Sequence, residues 1–292
     1  MAEMVAANLG GQADSNGYGA LPVPRLDAAL QGLIGAGRVF SLQQPLTADM
    51  PQWAVQPAYN LTTVVTHDDS SSMMARPATG SFERIEHSGH SGTHIDALCH
   101  VGSWHDDQPY VHGDIPARDI QSASGYRKLG AEHFPPILVR GILLDVAAAK
   151  GLPCLPDLYE ITVEDLRHCE QRQGVAVTPG SAVLIRTGFA RYWRADQARY
   201  MGRGAGAGAE AARYLAERGC VVTGADTANY EVLAFPALPA HVILLYEHGI
   251  PIVENLNLEE LAAAKVDEFL FITLPIAFSG STGSTVHPIA VA

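Results

Sequence analysis

Residues 137–146 read Ile-Leu-Val-Arg-Gly-Ile-Leu-Leu-Asp-Val, and residues 181–186 read Ser-Ala-Val-Leu-Ile-Arg. Both are short apolar runs bounded by turn residues, as strands buried on both faces require, and Pro135-Pro136 opens the first. Between them Thr162 is placed as an N-cap, Glu164 and Asp165 put acid in the first turn, and a helical pattern runs to Gln173. Strand, helix and strand in that order predict an α/β domain with an interior sheet.

The same alternation extends in both directions. Upstream, Leu26, Ala29, Leu30 and Leu33 recur at helical spacing, Gly35 and Gly37 supply a stop, and 38–46 reads as a strand. Downstream, 209–218 reads as a helix closed by Gly219, and 220–224, 242–245, 250–253 and 269–274 read as strands. Residues 1–20, rich in Ala, Gly, Asn and Ser, are expected to form a mobile arm. No repeat or long polar linker divides 21–292, so one domain is expected there. The Gly-rich stretch 202–208 follows a polar segment and no apolar strand, and reads as a flexible loop more readily than as a phosphate cradle.

The 292 residues carry a formal charge of −12 without any Lys/Arg block, which argues against a nucleic-acid partner. No apolar run approaches the roughly 20 residues that span a bilayer, so no membrane segment is expected. The first residues lack a basic-then-apolar secretory pattern, which makes the cytoplasm the expected location. Cys99, Cys154, Cys169 and Cys220 form no C-x-x-C pair and read as reduced thiols.

The chemistry concentrates in His90-Ser-Gly-Thr-His94-Ile-Asp96-Ala-Leu-Cys-His100. On a straight strand, at about 3.3 Å per residue, His90 and His94 would stand roughly 13 Å apart, too far for one ion with bonds of about 2 Å. A straight helix would turn the pairs His90/His94 and Asp96/His100 to different faces. A bend at Ser91-Gly92, open to glycine, would fold His90 back beside His94 and Asp96. Two imidazoles and a carboxylate suit Zn²⁺ or Mn²⁺. Asp96 lies among Ile95, Ala97 and Leu98, and a buried carboxylate there needs a partner. Any one of these histidines alone would read as an ordinary hydrogen-bonded group; the clustering points to a metal site. Cys99 and His100 are sequence neighbours facing opposite ways on extended backbone, so Cys99 reads as packed.

Two later features are candidates for the same site. His241 and Glu254 flank an expected strand-turn-strand over 242–253 that would bring its ends together. The run Ser279-Gly-Ser-Thr-Gly-Ser-Thr285 is either a solvated loop or a source of backbone N–H groups for an anion.

The segment 90–100 resembles the H-x-G-T-H-x-D-x-P-x-H signature of the cyclase or bacterial kynurenine formamidase-like superfamily, which includes isatin hydrolases. The resemblance extends through Arg140–Asp145, Leu184–Gly188, Gly224–Thr227, His241, Glu254–Leu256 and Thr282–Ser284. It implies a swivelling β/β/α, barrel-like mixed sheet with flanking helices, assembled as a homodimer or homotetramer. It also implies that His90, His94 and Asp96 hold metal, that His100 is catalytic, and that His241 and Glu254 bind metal or support catalysis. We group His241 with the metal residues and Glu254 with the catalytic ones. Leu98 stands where the formamidase signature has Pro, which favours the isatin-hydrolase-like branch.

The activity expected from these residues is hydrolysis of a C–N bond in a small cyclic or aryl amide by metal-bound hydroxide, with His100 moving the proton. Lactone or ester hydrolysis and a metal-dependent cyclase or dehydratase reaction use the same scaffold. A non-catalytic metal- or ligand-binding protein would have no need of His100.

Overall fold

The runs read as strands assemble into a nine-stranded sheet. Its members in chain order are β1 (Val39–Ser41), β2 (His94–Asp96), β3 (Ile137–Asp145), β4 (Ala182–Arg186), β5 (Val222–Ala225), β6 (Ile252–Glu254), β7 (Glu268–Thr273), β8 (Gly283–Thr285) and β9 (Ile289–Val291). The order across the sheet is β1-β9-β7-β3-β4-β5-β6-β2-β8. This computed structural model describes residues 17–18, 21–232 and 237–292.

The middle of the sheet is parallel from β3 through β4 and β5 to β6. Parallel neighbours need crossovers, and these contain helices α1 (Val163–Gln173), between β3 and β4, and α2 (Ala209–Glu217), between β4 and β5. Outside this centre the pairing turns antiparallel, with β7 and β9 on one side and β2 and β8 on the other. The sheet is therefore mixed, with flanking helices. Every residue of β4 and β5 is buried, as their continuous apolar runs require. α1 begins with a reciprocal cap: Thr162 Oγ1 accepts from Asp165 N, and an Asp165 carboxylate oxygen accepts from Thr162 N.

Two sequence expectations are corrected. Residues 242–245 are not a strand: Val242–Glu247 is a π-helical segment continuing the turn Pro239–His241, with Ile243, Leu244 and Leu245 buried. A short apolar run fits a buried helix as well as a strand, and periodicity cannot separate them. The stretch 202–208 is not a free loop, since Gly206–Ala207 pairs in parallel with Glu160–Ile161 and is buried. Most of the expected arm, residues 1–16 and 19–20, lies outside the described residues. Tyr18, however, is 3% exposed and packs on Phe134, and its hydroxyl accepts from Leu98 N and donates to Leu129 O. Tyr18 is thus a core residue braced against the segment between Asp96 and His100. Among the described residues no helix is long and apolar enough to cross a membrane.

Candidate metal centre

The short strand β2 carries the centre. Its period of two sends His94 and Asp96 to one face and Ile95, fully buried, to the other. Antiparallel pairing with β6 sets Glu254 directly opposite His94. Pairing with β8 sets Gly283 opposite Asp96, with close backbone approach.

The bend before β2 lies where glycine permits it, with Gly92 at φ +60°. Asn255 clamps it: the side-chain amide donates to Gly92 O at 2.9 Å, and Thr93 Oγ1 donates to Asn255 O. His90 thereby returns beside His94, ring centroids 5.0 Å apart. A β-carbon on Gly283 would lie 2.5 Å from His90 Cε1, so this glycine makes room for the ring.

Around Asp96 the nitrogens converge. His90 Nδ1 is 2.9 Å and His94 Nε2 3.5 Å from Oδ1, while His241 Nε2 is 3.6 Å from Oδ2. Glu254 completes the ring, with Oε2 3.5 Å from His94 Nε2 and Oε1 3.3 Å from His241 Nε2. Each imidazole has a partner for its other nitrogen: Gly92 O for His94 Nδ1, Glu231 for His241 Nδ1 and Thr282 Oγ1 for His90 Nε2. A carbonyl or carboxylate only accepts, so His94 and His241 carry their protons on Nδ1 and, when neutral, aim bare Nε2 lone pairs at carboxylates.

Both oxygens of Asp96 are buried without a hydrogen-bond partner, and even the 2.9 Å approach of His90 lacks hydrogen-bond geometry. Lone pairs facing lone pairs in a dry site require positive charge between them, from extra protons or from a cation. The acid-base balance shows the same demand. Burial would lower His94 and His241, but the neighbouring carboxylates raise both. Burial would raise Asp96, but His100, His241, His90 and His94 hold it well below the usual carboxylate range. Donor atoms of His94, Asp96 and Glu254, and separately of His90, Asp96 and His100, lie within 4.8 Å of one another. The donor set fits a divalent metal ion, with Asp96 common to both groups.

His100 lies just beyond, its ring centroid 4.1 Å from that of His90. Surrounding protein pushes its pKa down, Asp96 opposes this, and the neighbouring imidazoles reinforce it. His100 is exposed on a cavity of about 190 Å³ also lined by Ser103, Trp104, Tyr110, Gln121 and Tyr126. The cavity is smaller than the roughly 300–1,000 Å³ of drug-sized sites and suits a small ligand. A crevice of about 10 Å³ beside Trp53, Met201, His90 and His94 has room for one water at most. Two grooves of about 400 Å³ lie elsewhere, one along Arg140 and Ser181 and one along Glu160 and Glu210, with no part of the centre in either.

The structure thus brings His90, His94, Asp96, His100, His241 and Glu254 together. Residues 279–285 do not form an open anion loop, because 283–285 is strand β8. Cys99 is buried and its thiol is pushed up to about 12, so it is packed. Sequence reasoning missed Glu231 and Tyr230, whose backbone N–H donates to Glu254 Oε1 at 2.8 Å.

A family model described as "Putative cyclase" matches residues 40–232. No curated protein matches the chain. Among solved structures, one described as a novel cyclase is 28% identical with a TM-score of 0.84, covering 96% of this chain and 95% of that one. Isatin hydrolase A from Labrenzia aggregata, bound to benzyl benzoate, is 21% identical with a TM-score of 0.67, covering 90% of this chain and 98% of its own. A predicted metal-dependent hydrolase from Bacillus stearothermophilus is 19% identical with a TM-score of 0.56, covering 87% and 97%.

Proposed function

This chain belongs to the cyclase family, and on that premise we propose that it is a metal-dependent hydrolase of a C–N bond in a small cyclic or aryl amide. The observation that carries the reading is Asp96, whose two buried oxygens have no hydrogen-bond partner yet are ringed by imidazole nitrogens. We assign His90, His94 and Asp96 as metal ligands, Asp96 being shared by the close donor groups His94, Asp96, Glu254 and His90, Asp96, His100, with His241 Nε2 set against Asp96 and Glu254. We assign Glu254 to the metal donors and not to proton transfer, a reading supported by its oxygens facing His94 Nε2 and His241 Nε2. Nitrogen and oxygen donors of this kind suit Zn²⁺ or Mn²⁺. Such an ion would acidify water and polarise a carbonyl.

The chain's own groups do the remaining work. His100 stands between the centre and the cavity, placed to take a proton from water and pass it to the leaving nitrogen. Trp104, Tyr110 and Tyr126 offer aromatic surface to a flat substrate. The amide preference is supported by the isatin hydrolase of similar fold. The test is a screen of amides, imides and lactones with Zn²⁺ or Mn²⁺ added, read by product mass. Gain of water on amides supports the reading; inert amides beside reactive lactones refute its amide part, and product without added water refutes hydrolysis.

We also propose a homodimer or homotetramer. The hairpin Asn60–Val65 with Phe82–Glu86 exposes Leu61, Val64, Phe82 and Ile85, and a bare two-stranded hairpin is marginal in water. A second copy of the chain would cover it. Light scattering that finds only monomers refutes this.

A further inference from the structure

We propose that Glu231 is a positioning residue for the metal centre: its carboxylate holds the Nδ1 proton of His241 and so aims the Nε2 lone pair where Asp96 and Glu254 converge. The inference rests on the metal-centre reading above and adds a residue that no donor group contains.

Glu231 is 2% exposed, and each of its oxygens is committed. Oε1 accepts from His241 Nδ1 at 2.5 Å and from His241 backbone N at 3.3 Å, and Oε2 accepts from Ala240 N at 2.6 Å. Ring and backbone of His241 are thus gripped by one carboxylate. The imidazole can neither flip nor move its proton to Nε2 without leaving a buried charge unpaired. A carboxylate behind a ligating imidazole fixes the ring and raises its basicity.

The grip is itself anchored. Tyr230 is fully buried with its hydroxyl 2.8 Å from Thr223 Oγ1, and its carbonyl accepts from Ala207 N. The backbone of Glu231 passes so close to Gly206 that a β-carbon there would lie 2.3 Å from Glu231 C. One rigid dipeptide therefore sets two donors, since the Tyr230 N–H orients Glu254 while the Glu231 side chain orients His241. A plain helix cap would need only the bonds to Ala240 and His241 backbone N–H; the bond to Nδ1 serves the ring alone.

The test compares Zn²⁺ affinity of wild type, Glu231→Gln and Glu231→Ala by chelator competition, beside the melting temperatures of the metal-free proteins. Gln keeps the shape but cannot satisfy three donors. We expect both variants to bind the ion that contacts His241 about 10–100-fold more weakly, the usual effect of such a partner. Wild-type affinity in folded Glu231→Gln, with only a lower melting temperature, overturns the inference and leaves the metal centre standing. A wild type that binds no Zn²⁺ refutes the metal-centre reading instead. If neither variant folds, ¹⁵N NMR of the imidazoles in Zn²⁺-loaded wild type decides: His241 bound through Nε2 with its proton on Nδ1 is expected, and the reverse overturns the proposal.

Discussion

His94 and Glu254 face each other in register across the antiparallel pair β2 and β6, with His94 Nε2 3.5 Å from Glu254 Oε2. Backbone pairing fixes this opposition, so the side chains can change while the strands stay paired. Glu254→Gln should keep the fold, because an amide oxygen still accepts from Tyr230 N–H, and should lose metal affinity by at least the roughly 10-fold that loss of a mere supporting group costs. Elemental analysis after dialysis, beside a melting curve, checks it; unchanged metal content returns Glu254 to a structural role.

His100→Ala should separate proton transfer from metal binding. The expected result is retained metal with kcat lowered by about 10²-fold or more, the contribution usual for a general acid-base group. Loss of metal would make His100 a ligand, an option its grouping with His90 and Asp96 leaves physically available.

Gly92→Ala tests the bend. Any side chain there must hold φ near +60° while its β-carbon lies 2.5 Å from Leu46 Cδ2. The expected cost is about 1–3 kcal/mol of stability, together with weaker metal binding as His90 shifts. Denaturant unfolding of the metal-free protein reads the first effect and chelator competition the second; a variant matching wild type in both would show that the bend does not govern the site.

Asp226 should impose a pH dependence of its own. Burial raises its carboxyl from 3.8 to about 6, against the lowering effect of bonds from Thr187. A folded-state pKa above the unfolded one means that stability is present below about pH 4 and is lost as pH rises through about 6. Asp226→Asn cannot titrate there. The stability of wild type minus that of the variant should therefore fall by on the order of 3 kcal/mol between pH 4 and 7. Urea unfolding at several pH values measures it, and a difference that is flat or rises with pH contradicts the assignment.

What the sequence made legible was local. Thr162 with Asp165 announced a helix start because a capping box is written in four consecutive residues. The bend at Gly92 was legible because no regular element could gather His90, His94 and Asp96. The segment from Val242 was misread because its burial is set by neighbours distant in sequence, and an apolar run has no period to betray its shape. His241 and Glu254 nevertheless meet, through a helical segment in place of the expected strand. Glu231 gave no signal at all: a lone glutamate is a surface residue by default, and only the tertiary fold shows it buried against His241.

The assignment of a divalent metal site stands or falls on Asp96, where the donors converge. Its most direct test is equilibrium dialysis of wild type and Asp96→Ala against Zn²⁺ and Mn²⁺, read as metal per folded chain by elemental analysis. Stoichiometric, chelator-removable metal is expected in wild type and none in the variant. Equal metal in both proteins, or none in wild type, would contradict it.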